Sequence, residues 1–327
     1  MGHFLAGAGW GDASRGLLAG DASFRRYDRL RRGGARAVLM DAPPPMENVR
    51  PFIHIDRLLR KMGLSAPEIL AEDPETGFLL LEDLGDDTYT RVLANGGDEA
   101  ALYELATDLL IELHRRFAGD DALPPYDDEA FLVEATLLTD WYMPALTGAE
   151  PPAAVRAEYC ELWRAALAEA RRMPASLVLR DYHVDNMIWL PDRPGVAACG
   201  LLDFQDARLG PITYDLVSLF EDARRDVPAA LTRKLLDRYL AAFPALDRDA
   251  FAASYAIMGA QRSAKILGIF TRLDRRDGKP AYLAHIPRVW RWLEGDLAHP
   301  ALAELRGWFD RTIPRRDRIA PEPGSGA

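Results

Sequence analysis

The sequence predicts an α+β protein of two lobes, a small strand-rich lobe followed by a large helical one. Three observations carry this. The first stretch, to about residue 85, reads as short apolar strands broken by glycine and proline turns, with one amphipathic helix among them. From about Thr88 onward, apolar residues recur at helical spacing. Strands that precede helices, instead of alternating with them, exclude a doubly wound sheet.

The elements follow in order. Ser23 to Leu30 and Ala37 to Met40 flank Gly33-Gly34, which reads as the turn of an antiparallel hairpin. Pro43-Pro44-Pro45 breaks the chain. A helix is expected from Pro51 through Met62, with Phe52, Ile55, Leu58, Leu59 and Met62 on one face and Gly63 as its stop. Glu68 to Ala71 and Phe78 to Leu81 form a second hairpin around a Pro-Glu-Thr-Gly turn. Helices are expected over 99–114, 131–146, 155–171, 229–243, 249–273 and 286–297. Short strands are expected at 177–179, 187–190 and 200–202. The expected domains are an N-terminal lobe over 1–83, a helical lobe over 84–320, and a flexible Pro/Gly/Ser-rich tail over 321–327. A ligand would most naturally bind in the cleft between the lobes.

Composition narrows the function. The chain has 327 residues, 49% hydrophobic and 28% charged, enough for a sizeable core and too apolar for a disordered protein. The net charge of −10 argues against nucleic acid or an anionic membrane as partner. Cys160 and Cys199 give neither a disulfide framework nor metal spacing. No run is long enough and apolar enough for a membrane helix, and Met1 to Gly11 makes a poor signal peptide. The expectation is a cytoplasmic monomer. Of 40 basic residues only Lys61, Lys234, Lys265 and Lys279 are lysine, so any step that needs a lysine has few candidates.

The segment from Leu177 to Asp206 carries most of the chemistry. Asp181 closes a strand and opens a loop, Asn186 ends that loop, and Asp203 leaves the next apolar strand. Two carboxylates and an amide oxygen around one space suit Mg²⁺, and phosphoryl transfer needs such a set. One aspartate takes the hydroxyl proton, and the other oxygens hold metal on the phosphates.

The pattern D-x-x-x-x-N followed by D-F resembles the catalytic and metal loops of the kinase superfamily. Leu179 stands where that superfamily usually has histidine, and Gln205 replaces the last glycine of D-F-G. These departures, with Tyr214-Asp215-Leu216, resemble the aminoglycoside phosphotransferase and choline kinase branch. The resemblance implies a bilobal protein-kinase-like fold, Asp181 as catalytic base, Asn186 and Asp203 as metal ligands, and Asp215 as a brace of the catalytic loop. It also implies ATP as cofactor. Ser23, Phe24 and Arg25 lie where the phosphate-covering loop belongs, and Leu81, Glu82 and Asp83 resemble the adenine-binding hinge.

The usual strand lysine is missing from Ala37-Val38-Leu39-Met40. Either the protein is a silent nucleotide binder, or Arg25, Arg26, Arg36 or Arg50 substitutes. The segments GDASFRRY, VLMDAPP, LRDYHVDN and LLDFQDA resemble the anomeric sugar kinases of peptidoglycan recycling. That family implies N-acetylmuramate and N-acetylglucosamine as acceptors, with ATP and Mg²⁺, and shares the departure at the lysine. Aminoglycoside or choline phosphorylation is the alternative. Among substrate candidates, Trp141 and Tyr142 can stack on a sugar or sit in the core, and Arg262 can meet a carboxylate or form a structural ion pair. His183 can touch substrate or brace its loop. Asp206 can bind metal, contact sugar or lie on the surface.

Overall fold

A computed structural model describes residues 1–20 and 24–324. By density of contacts the chain divides into two compact units. One comprises Met1–Phe117 with His183–Ala207, and the other Ala118–Tyr182 with Arg208–Ala327. Residues 84–117 and 183–207 thus group with the sheet, not with the helical unit expected to begin at residue 84. No helix among the described residues is long and apolar enough to cross a membrane.

The first unit opens with a short helix, α1 (Gly2–Gly7), and is built on one antiparallel sheet. Its strands are β1 (Ser14–Gly20), β2 (Arg26–Arg32), β3 (Ala35–Asp41), β4 (Ile69–Asp73) and β5 (Phe78–Glu82), in the order β1-β2-β3-β5-β4. Both expected hairpins are present. In the first, Arg32 pairs with Ala35 across Gly33 and Gly34, whose φ values of 53° and 90° are those of a type I′ turn. β1 was not legible because it is an edge strand without clean alternation, its Leu17 67% exposed. Leu5 of α1 packs with Leu30, Ala37, Leu39 and Leu80 to cover one face.

Helix α2 (Arg50–Lys61) buries Phe52, Ile55 and Leu59 as its spacing predicts. Ile53 and Asp56 are buried as well, whereas Leu58 is half-buried. Helices α3 (Tyr89–Ala94) and α4 (Glu99–Arg116) follow, capped by the side chains of Thr88 and Asp98.

The second unit is helical, around a core that includes Tyr142, Tyr159, Trp163, Trp290, Trp308 and Phe309. A two-stranded ladder joins β6 (Ala175–Val178) to β9 (Arg208–Pro211), with Val178 opposite Arg208. The helices are α5 (Asp128–Ala135), α6 (Met143–Thr147), α7 (Ala153–Ala170), α8 (Tyr214–Phe220), α9 (Ala229–Ala242), α10 (Arg248–Asp277), α11 (Ile286–Asp296) and α12 (Ala303–Thr312). Segment 131–146, expected as one helix, is α5, a wide π turn over Leu138–Tyr142, and α6. Pro144 has no N–H to continue the ladder. The wide turn also follows the point where α10 comes closest: a Cβ on Gly268 would lie 2.3 Å from the carbonyl carbon of Leu137. In the tail, Gly324 donates to Asp274 and Glu322 accepts from Arg275, while residues 325–327 lie outside the described residues.

Candidate active site

The two loops that carry the motif residues are built in different ways. In the first unit, β7 (Met187–Trp189) pairs with β8 (Cys199–Leu201), Met187 opposite Leu201. The ladder extends one step further, as Leu202 N–H donates to the Asn186 carbonyl at 2.9 Å. That register brings together two residues 17 positions apart: Asn186 Nδ2 lies 3.4 Å from Asp203 Oδ2. Asp203 has φ 58°, uncommon for a residue with a side chain. Gln205 Nε2 donates to its Oδ1 at 2.8 Å, and Arg25 Nη2 lies 3.6 Å from the same oxygen.

Asn186 and Asp203 also line a cavity of about 410 Å³. Its apolar walls include Leu18, Val38, Phe52 and Ile188, and its rim carries Leu81, Glu82 and Asp83 at the end of β5. The side chains of Glu82 and Asp83 are already occupied. Glu82 pairs with Arg193, while Asp83 accepts from Arg29 at 2.8 Å and from Gly85 N–H at 3.0 Å. What this rim offers a ligand is therefore its backbone. Residues at this wall suit a flat, largely apolar group with a few polar edges.

Of the four candidate arginines, Arg25 reaches Asp203 and also lies 4.0 Å from Glu47 Oε2, with its side chain only 12% exposed. Arg26 pairs with Asp28, Arg50 with Glu75, and Arg36 lies 3.9 Å from Asp83. Phe24 N–H donates to Glu47 at 3.1 Å, although the Phe24 ring is exposed. Ser23 lies outside the described residues.

Among the described residues, no three or more His, Cys, Asp or Glu side chains converge as a metal centre. A carboxylate and an amide do converge, and hard oxygens of those two kinds fit an ion that takes its remaining ligands from phosphates and water.

In the second unit, the loop after β6 is clamped. Asp215, in the first turn of α8, accepts from Leu179 N–H at 2.6 Å and from Arg180 N–H at 2.9 Å. Ser218 Oγ donates to the Arg180 carbonyl at 3.2 Å, and Asp181 N–H donates to Leu179 O at 2.9 Å. Burial pushes the Asp215 carboxyl up to about 7, against the pull of its two N–H partners. Arg180 has φ 70°. Its guanidinium pairs with Glu134 and lies over the Tyr126 ring. Despite burial, Lys265 and Arg180 hold Glu134 below the usual carboxylate range.

Other candidates divide clearly. Tyr142 is wholly buried, and its hydroxyl bonds Ile319 O and Trp290 Nε1, both at 2.7 Å. This corrects its assignment to sugar stacking, since no ring face is left for a ligand. Trp141 is half-buried beside it. Arg262 is buried and donates to the Glu221 carbonyl at 3.3 Å, a structural contact. His183 is buried, and its carbonyl accepts from Asn186 N–H. Asp206 is exposed and borders a small cavity of about 240 Å³ with Arg25, Glu47 and Gln205.

A cavity of about 670 Å³ in the helical unit was not foreseen. Phe251, Tyr255, Trp292, Glu221 and Asp296 are among its walls. Glu221 and Asp296 lie within reach of each other, and burial pushes both carboxyls up. One oxygen of each, and the Tyr255 hydroxyl, lacks a well-formed hydrogen bond. The only sequence signal was the run of carboxylates after α8, Glu221-Asp222, which reads as surface without the fold.

The sequence pattern of the phosphotransferase enzyme family (APH) matches residues 16–252. An N-acetylmuramate/N-acetylglucosamine kinase of Caulobacter vibrioides is 41% identical, over 96% of this chain and 96% of that protein. One of the same name from Pseudomonas aeruginosa is 40% identical, over 91% of this chain and 89% of that protein. Among solved structures, choline kinase LicA from Streptococcus pneumoniae matches with a TM-score of 0.61 at 14% identity, covering 87% of this chain and 93% of that one. A likeness at that identity is one of fold, and the fold is the expected α+β kinase-like one. The chain belongs to the phosphotransferase enzyme family and is itself a phosphotransferase.

Proposed function

We propose that this chain is an ATP- and Mg²⁺-dependent kinase for the anomeric hydroxyl of N-acetylmuramate and N-acetylglucosamine, making the sugar 1-phosphate for cell-wall recycling. The observation that carries the acceptor is the name shared by relatives 36–41% identical over 84–96% of their length. The motif residues Asp181, Asn186 and Asp203 support an active kinase over a silent nucleotide binder.

In this reading Asp181 orients the anomeric hydroxyl and takes its proton as the oxygen attacks the γ-phosphorus. The bond to the bridging oxygen breaks, and ADP leaves. The anomeric hydroxyl is more acidic than an ordinary alcohol, so a carboxylate is base enough. Asn186 and Asp203 would hold Mg²⁺, which supplies charge neutralisation on the phosphates. Arg25 takes the part of the absent lysine, with Glu47 as its partner. The backbone at Leu81 to Asp83 receives adenine against the apolar wall of the 410 Å³ cavity.

The 670 Å³ cavity is taken as the acceptor pocket in this reading, and its walls do not include Asp181 itself. Trp292, Tyr255, Glu221 and Asp296 are among its walls. Burial that favours the protonated carboxyls lowers the pocket's negative charge. An uncharged or anionic sugar suits such a pocket better than the cations choline or an aminoglycoside.

The test is ADP release with Mg²⁺ against N-acetylmuramate, N-acetylglucosamine, glucose, choline and kanamycin, with Asp181→Asn as control. The expected result is turnover on the two N-acetyl sugars, with one reducing end lost per ADP formed and a fall of about 10²–10⁴-fold in the variant. Turnover on choline or kanamycin instead, or a reducing end that survives phosphorylation, overturns the proposal.

A further inference from the structure

We propose that Glu134 and Lys265 are positioning residues that hold Asp181 through the side chain of Arg180. The inference rests on the reading of Asp181 as the catalytic base. Its starting point is the φ of 70° at Arg180, a conformation that persists in a residue with a side chain only where the surroundings over-determine it. Asp215 and Ser218 fix the backbone on both sides of this residue. They leave open where the long side chain goes, and Asp181 is the next residue along.

The side chain ends in a closed polar ring. Glu134 accepts from the Tyr126 hydroxyl, and the Tyr126 and Tyr214 hydroxyls are 3.1 Å apart. Lys265 Nζ is 3.4 Å from the Tyr214 hydroxyl and 3.1 Å from Glu134 Oε1, which closes the ring. Arg180 joins it at two points, by its ion pair to Glu134 and by lying over the Tyr126 ring, 5.5 Å from the centroid. Gln261 Nε2 donates to the Phe131 carbonyl at 3.1 Å and so ties α10 to the helix that carries Glu134. Tyr214 is the residue before Asp215. The ring therefore links the helix bearing Glu134, the helix bearing Lys265 and the helix that clamps the loop.

Lys265 is one of four lysines among 40 basic residues, and its side chain is only 10% exposed. A compact ammonium fits between a carboxylate and a phenol, where a planar guanidinium fork would demand different partners. Without it, Glu134 keeps Arg180 and the Tyr126 hydroxyl but loses one of its two cations, and the guanidinium is drawn to a new balance point. Displacements of about 1 Å at a reacting group can cost about 10²-fold in rate. Asp181 also lies within electrostatic reach of both Lys265 and Arg180.

The experiment measures kcat and the nucleotide KM for Glu134→Gln, Lys265→Met and Tyr126→Phe, beside Asp181→Asn, with melting curves to normalise for folded protein. The expected result is a fall in kcat of about 10–100-fold for the first two variants. Tyr126→Phe, which keeps the ring beneath Arg180, should fall less. Nucleotide KM should stay within about two-fold, because the residues of the ring, Glu134, Tyr126, Tyr214 and Lys265, are not among those proposed to hold the phosphates. A folded Glu134→Gln or Lys265→Met with the parent kcat overturns the proposal, as does a kcat loss matched by an equal rise in nucleotide KM. If those two fail to fold, parent-level kcat in Tyr126→Phe overturns it. Full activity in Asp181→Asn would strike the kinase mechanism itself. An inactive Asp181→Asn beside a fully active Glu134→Gln strikes only this positioning role.

Discussion

The loop that bears Asp181 and the loop that bears Asp203 both contain a residue at positive φ, yet they are held in opposite ways. Around Asp181 the strained residue is Arg180: its N–H and its carbonyl have buried partners, and its guanidinium has a half-buried one. Around Asp203 the strained residue is the proposed metal ligand itself. Its side chain is 37% exposed, and its described partners include the side chains of Asn186, Gln205 and Arg25. The difference follows the tasks proposed for them. A base must keep one position against the acceptor. A metal ligand must be able to trade side-chain partners for an ion and phosphates, and buried anchors would make that exchange costly.

The largest expected effect comes from removing the brace of the first loop. Asp215→Ala leaves the Leu179 and Arg180 N–H groups buried without an acceptor, each at about 1–3 kcal/mol. A denaturant midpoint should show a loss of about 2–5 kcal/mol in total. A loss below about 0.5 kcal/mol would mean that the loop is held by something other than α8.

A smaller effect, confined to nucleotide binding, is expected at the second loop. Arg25→Ala should raise the nucleotide KM about 10-fold, the weight of one charge-assisted hydrogen bond, with little change in melting temperature. Arg36→Ala and Arg50→Ala should change it less than about two-fold, since both side chains are more than half exposed and neither pairs with Asp203. Equal effects at all three would show that the cation is not placed by Asp203.

The smallest effect contrasts two buried carboxyls. Asp215 has two N–H partners, whereas Asp56 Oδ2 on α2 has none, and burial pushes Asp56 up to about 7. A carboxyl with a raised folded pKa holds its proton where the unfolded chain has released it. Its ionisation therefore removes stability as pH rises from about 4 to about 7, and the loss stays constant above that. Asp56→Asn should melt with the parent protein near pH 4 and gain about 2–4 °C at pH 8. A gain equal at both pH values would show that Asp56 is not the titrating group.

Much of the architecture was legible because it is local. Hairpin turns need glycine at Gly33 and Gly34, and helix faces repeat at 3.6 residues, as Phe52, Ile55 and Leu59 show. The motif spacing singled out Asp181, Asn186, Asp203 and Asp215 as candidates. What escaped has little local signal. β9 is four residues that count as a strand only because β6 lies opposite. The π turn after α5 comes where Gly268 admits a close approach, and Gly268 is 131 positions away from Leu137.

The chemistry shows the same division. The sequence alone determined which residue types are available: a carboxylate and an amide at kinase spacing, no strand lysine, and four lysines in all. Only the tertiary structure decided which arginine reaches Asp203, that Tyr142 is core and not a sugar platform, and that Glu134 and Lys265 meet across 131 positions of chain. The physical reason is range. Turns, caps and helical faces are set by neighbours within a few residues. The partner of a buried charge is set by which distant elements pack against it, and a charge in a sequence carries no mark of whether it will be buried.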